Sequence, residues 1–278
     1  MVRTVQPTGL KKEDAVKIYY QSVASLGKSS MWDDYERCLQ DHINLIKSLH
    51  CQIDISGLDV MLPNAAEYTY VEYANVLQIL KKAATAQRSG YDAYILGCIT
   101  DPGHDVVRSA LGIPTVFSGE TAMHMAGLIG KKFVFIARTK RTANRLNKNI
   151  EAYGLSAKSI PSVSMDVTFE DIAAAFKDSR SVLAKFLSTC ERVMDQGAEV
   201  VIPGCGVLNV LLMANRVSDY KGLVLLDTLG VCIKVAEALI ELGRKNSISI
   251  ARLGDYRTPE REVGAAVEKV LTEVADKR

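Results

Sequence analysis

Short, continuously apolar runs alternate along the whole chain with longer stretches whose apolar residues recur every three or four positions. The short runs are Val2 to Val5, Ile53 to Leu58, Ala93 to Leu96, Thr115 to Phe117, Phe133 to Ala137, Val200 to Ile202 and Leu223 to Leu226. A strand that is apolar on both sides suits a sheet covered by helices on both faces, so the pattern predicts an α/β fold of mainly parallel sheets. Among the helical stretches, Tyr70 to Arg88 carries Val71, Leu77, Leu80 and Ala84 and ends at Gly90. Thr168-Phe-Glu-Asp171 resembles a capping box opening one long helix, whose stripe is Leu183, Phe186, Leu187, Cys190, Val193 and Met194. Lys11 to Ser25 and Asp34 to Leu49 read as two further helices joined by Leu26-Gly-Lys-Ser-Ser30. A surface helical hairpin is the plainer reading of that region, a lid or a subunit contact the alternative.

The pattern also repeats. Gly90-Tyr-Asp-Ala-Tyr-Ile-Leu-Gly97-Cys98 and Gly197-Ala-Glu-Val-Val-Ile-Pro-Gly204-Cys205 place a cysteine after a short apolar run, 107 positions apart. After each cysteine the chain reads helix, strand, helix, the last helix closing at Gly130-Lys-Lys in one half and Gly243-Arg-Lys in the other. Two pseudo-symmetric lobes are therefore expected, residues 1–118 plus 228–278 forming the first and 119–227 the second, with an active site in the cleft between them.

Composition narrows the function classes. An apolar content of 48% supplies a sizeable core, and a net charge of +2 from 34 basic and 32 acidic residues gives no sign of a nucleic-acid surface. No run is long enough for a signal peptide or a membrane span, so a cytoplasmic protein without a membrane partner is expected. Six cysteines then read as reduced thiols, and four histidines away from ligand spacing argue against zinc. Gly204-Cys-Gly206-Val-Leu-Asn209 lacks the third glycine of a dinucleotide fingerprint, and Gly127-Leu-Ile-Gly130-Lys-Lys lacks the spacing of a phosphate loop. No cofactor is expected.

Ligands of open parallel sheets bind beyond the carboxyl ends of the strands, where Cys98 and Cys205 lie. A helix beginning after each cysteine would offer free amides and a positive dipole end, lowering a thiol from its usual value of about 8.5. One thiolate and one thiol facing each other suit a two-base reaction. The thiolate removes a proton beside a carbonyl and the opposing thiol returns one to the other face, help worth about 10²–10⁴-fold in rate. Amides after the cysteines and the hydroxyls of Thr8, Thr100, Ser118 and Thr228 are candidate donors to the enolate oxygen. Cys38, Cys51, Cys190 and Cys232 read as packing residues. His104, His124, Asp101, Glu120 and Asp227 each have a structural reading, such as capping a helix, beside a site reading.

At these residues the chain resembles the aspartate/glutamate racemase superfamily, most closely its hydantoin and allantoin racemase branch. The resemblance rests on Gly97-Cys98-Ile-Thr-Asp101-Pro102-Gly103 with Arg108 following, on Pro114-Thr-Val-Phe-Ser-Gly-Glu-Thr-Ala122-Met123-His124, and on Gly204-Cys205-Gly206 with Leu225-Leu-Asp227. It spans roughly residues 90 to 245. It implies that Cys98 and Cys205 are the catalytic pair of an isomerase, a racemase or epimerase of a hydantoin-like or amino-acid-derived small molecule. It also implies that the turn after the first strand, Gln6-Pro7-Thr8, contributes to binding, although the family favours Asn-Pro-Asn there. Gly206-Val207-Leu208-Asn209 likewise replaces the usual small residues and hydroxyl. The expected substrate-binding set is Gln6, Thr8, Ile99, Thr100, Ser118, Gly119, Gly206, Val207 and Thr228. Retention of both cysteines argues against the similar arylmalonate decarboxylases, which keep one. A cysteine-nucleophile isomerase of the maleate type, a hydrolase of a cyclic imide or amide, a small-ligand binding module and a homo-oligomer stay open.

Overall fold

In the computed structural model, which describes residues 15–62, 65, 68–257 and 259–273, two sheets share one chain. The expected strand at Val2 to Val5 lies outside the described residues. The first half contains β1 (Val16–Gln21), α1 (Asp33–Ile46), β2 (Cys51–Ser56), α2 (Thr69–Arg88), β3 (Ala93–Leu96), α3 (His104–Ala110), β4 (Thr115–Phe117) and α4 (Ser118–Ile129). Its four strands are all parallel, in the order β2-β1-β3-β4.

One helix expected from the sequence is thereby corrected to a strand. Lys11 to Ser25 does not form a helix over its described part; Val16–Gln21 is an inner strand, bonded to β2 on one side and β3 on the other. Its composition explains this. Val16, Ile18, Tyr19 and Tyr20 are β-branched or aromatic, side chains that fit a pleated surface and lose rotamer freedom in a helix. Ile18 and Tyr20 are buried on one face, as a period of two requires.

The second half contains β5 (Phe133–Ala137), α5 (Lys140–Ala152), β6 (Val163–Ser164), α6 (Phe169–Ala175), α7 (Arg180–Met194), β7 (Val200–Gly204), α8 (Gly206–Ala214), β8 (Asp219–Tyr220), β9 (Leu223–Leu225) and α9 (Thr228–Asn246); α10 (Arg261–Glu273) follows. The sheet order is β6-β5-β7-β9-β8, parallel except for the β8 edge. The capping box at Thr168 and Asp171 is present, but the helix it opens is short. It stops at Ala175, and the Asp178 carboxylate accepts the Arg180 N–H at 3.2 Å at the start of a separate helix. The single long helix expected there is thus two.

After β9 the chain returns to the first sheet. Helix α9 packs on β1, β3 and β4 and along α4, while α1 lies against both α8 and α9. The His42 Nε2 on α1 stands 2.8 Å from the Asp227 carboxylate, which also accepts from Asn209 Nδ2 at 3.0 Å. Burial pushes the Asp227 carboxyl up, but its bonds to His42 and Asn209 prevail and hold it below the usual value.

Candidate active site

Cys98 and Cys205 line one cavity, of about 860 Å³ including its open mouth, roofed by residues from both halves of the chain. Each cysteine follows the last residues of an inner strand, β3 or β7, and each is preceded by a glycine. Close approach dictates Gly97 and Gly204, and also Gly206 just after the second cysteine; a Cβ at Gly204 would stand 2.7 Å from the Ala137 Cα. A side chain at Gly97 would overlap the Tyr20 hydroxyl, and a Cβ at Gly206 would stand 2.9 Å from the Gly97 carbonyl oxygen. The two cysteine turns therefore meet backbone to backbone.

The turns are not equivalent. Cys205 is the N-cap residue of α8, 8% exposed, and the helix begins at the next residue. No helix begins beside Cys98. The chain instead makes a turn in which the Asp101 N–H donates to the Cys98 carbonyl at 3.0 Å, and α3 starts at His104. The Asp101 carboxylate turns away to accept the Gly119 and Glu120 amides, both at 2.7 Å, and the Tyr153 hydroxyl at 2.9 Å, capping α4. The expectation that helix ends lower the thiols fails at Cys98. Burial pushes its thiol up to about 12; Thr100, whose Oγ1 is 3.4 Å away, opposes this, while Asp101 and Cys205 add to it.

Of the residues expected to bind substrate, Ile99, Thr100, Gly206 and Val207 line the cavity with the cysteines. Ser118, Gly119 and Thr228 do not, and the fold engages the Ser118 hydroxyl and the amides of Gly119 and Thr228. The Ser118 hydroxyl donates to the Leu96 carbonyl at 3.0 Å, Gly119 N–H to Asp101, and Thr228 N–H to Asn209 Oδ1 at 2.9 Å. Gln6 and Thr8 lie outside the described residues; the turn that follows β1 and enters the cavity is Ser22-Val23-Ala24. His104 and Glu120 sit outside the cavity in an ion-pair cluster with Arg108, and His124 is exposed. Asp101 takes the capping role, whereas the Asp227 carboxylate is held by His42 and Asn209.

Several lining residues escaped the sequence reading. Arg138, 4% exposed, lies just past β5, and the pairing of Ala137 with Gly204 sets it level with Cys205 on the neighbouring strand. Its guanidinium stacks 3.5 Å from the Phe169 ring centroid and donates to the Val167 carbonyl at 3.2 Å. Thr142 lines the cavity with it. The rule that ligands meet strand ends, applied to β5, would have found both. Trp32, Tyr35 and Phe169 form an aromatic wall, and Glu72, bonded to Arg145 at 2.7 Å, joins Asn75 at a polar end. Burial raises the Glu72 carboxyl against the pull of Arg145.

Paired thiols in a cavity shared by two sheets now stand beside comparison with known proteins. The family model for Asp/Glu/hydantoin racemase matches residues 52–236. The chain belongs to the Asp/Glu/hydantoin racemase family. It is accordingly an enzyme, an isomerase of the racemase kind. It is 27% identical over 202 residues to a hydantoin racemase of Paenarthrobacter aurescens, covering 71% of this chain and 80% of that one. With a hydantoin racemase of Pseudomonas sp. (strain NS671) it shares 24% identity over 208 residues, 74% of this chain and 80% of the other. Among solved structures, allantoin racemase from Klebsiella pneumoniae superposes with a TM-score of 0.73 at 18% identity, covering 88% and 94% of the two chains. That likeness shows the shared two-sheet fold of the racemases.

Proposed function

We propose that the protein inverts a stereocentre beside a carbonyl in a small hydantoin-like or amino-acid-derived molecule, using Cys98 and Cys205 as an acid/base pair without a cofactor. The observation that carries this reading is the meeting of the two glycine-cysteine turns in one cavity. The lobes providing the turns are residues 1–118 plus 228–278 and residues 119–227. Cys98, its thiol pushed up, rests in the proton-donating form. In one direction the Cys205 sulfur removes the substrate proton while Cys98 delivers its own to the opposite face; the reverse direction exchanges the roles. The relatives named hydantoin racemases support the substrate class.

The test is incubation with one enantiomer each of benzylhydantoin, allantoin and a set of amino acids in deuterium oxide, followed by NMR and chiral chromatography. Deuterium uptake with loss of optical purity is the expected result, and Cys98→Ser and Cys205→Ser should each abolish inversion. The asymmetry of the turns, with only Cys205 at a helix N-terminus, favours a second reading in which Cys205 alone is a nucleophile. A new product together with a covalent adduct on Cys205 in mass spectrometry would decide for it.

A further inference from the structure

Proton removal beside a carbonyl moves an electron pair onto the carbonyl oxygen, and two cysteines occupied as base and acid do not themselves stabilise that charge. Tyr35 is suited to the task by position. It lines the cavity while only 1% exposed, and its ring is held edge-on by Trp32 at 6.0 Å and by Phe176 at 5.9 Å between centroids. Its hydroxyl lies 3.4 Å from the Ser22 Oγ and near the Tyr20 hydroxyl, the group that fills the space beneath Gly97. Ser22 follows β1 immediately, and the Gly97 N–H donates to the Gln21 carbonyl at 2.8 Å, so this hydroxyl cluster stands level with the first cysteine turn. Burial also pushes the Tyr35 phenol up to about 12, which keeps it a donor at any working pH. Tyr35 precedes the residues 52–236 matched by the family model, so the match itself assigns it nothing.

We propose that Tyr35 is a further catalytic residue, donating a hydrogen bond to the substrate oxygen that becomes negative. This rests on the two-thiol reading above. One thiolate takes the proton from carbon and becomes a thiol, and the C–H electron pair moves through the carbonyl to give an enolate. Tyr35 keeps its proton throughout, stabilising the enolate oxygen through the O–H dipole. The opposite thiol then protonates carbon and is left as thiolate.

Tyr35→Phe deletes only the hydroxyl and leaves the ring between Trp32 and Phe176. Loss of one preorganised donor costs roughly 10²–10³-fold in kcat. The expected result is a kcat about a hundredfold lower in both directions, with KM changed less than about threefold. Wild-type kcat in this variant, or a rise in KM alone, overturns the proposal. Calorimetry gives a readout independent of turnover. The planar ring enolate of cyclopentanedione should bind the variant at least about tenfold more weakly, with neutral succinimide changed less than about threefold; equal effects on both ligands overturn the assignment. The two levels separate cleanly. Inversion that survives in Cys98→Ser and Cys205→Ser defeats the two-thiol reading, whereas its loss in both beside a fully active Tyr35→Phe defeats only the role of Tyr35.

Discussion

Cys98 shows how little a residue's motif says about its ionisation. The motif places it at a strand end, but the following turn gives it no helix N-terminus, and burial leaves the thiol form favoured. A thiol near 12 is ionised to roughly one part in 10⁵ at neutral pH. Alkylation of Cys98 by iodoacetamide, followed by peptide mass spectrometry, should therefore accelerate about tenfold per pH unit from pH 7 to pH 10. A plateau below about pH 9 would contradict the burial account. The sign is that of an acid whose neutral form is preferred: reactivity is lowest at neutral pH and grows as pH climbs toward the raised value.

At the scale of elements, the contact between the two cysteine turns yields a sharper test. Gly206→Ala adds one methyl against a backbone oxygen, which has no rotamer to yield. Alanine offsets part of that strain through its better helix propensity, a gain of up to about 1 kcal/mol, against an overpacking cost of about 1–3 kcal/mol. Folding should weaken only modestly in a urea titration, while kcat should fall at least about tenfold because the thiols are displaced. Legibility in the sequence also divides by element. Strands β3, β4, β5 and β7 were readable because glycine, proline or a charged turn punctuates each apolar run. β1 was not: Ala15, Val16, Tyr19, Tyr20 and Val23 also satisfy helical spacing, and only two neighbouring strands decide between the readings. Misplacing that strand hid the turn at Ser22 to Ala24. Tyr35 and Phe169 reach the cavity through tertiary packing, which leaves no local mark.

For the molecule as a whole, α1 ties the halves together through a half-buried polar junction. Asp227→Asn keeps the shape but weakens charge-assisted bonds to His42 and Asn209, worth about 1.5–3 kcal/mol. Urea unfolding at pH 7 should show a loss of about 2 kcal/mol. Because the folded Asp227 carboxyl is held below its ordinary value, its contribution is complete above about pH 4 and disappears as pH falls through the lower folded value. The difference between the two proteins should therefore shrink in acid, and a pH-independent difference would point to packing instead.

The meeting of Gly97 and Gly206 has one more consequence. Main chain pressed on main chain acts as the stop of a caliper, setting the gap between the two sulfurs whatever occupies the rest of the cavity. On the proposed two-thiol reading, natural variation in the aromatic wall alters which substituents are accepted while the thickness of carbon between the jaws stays constant.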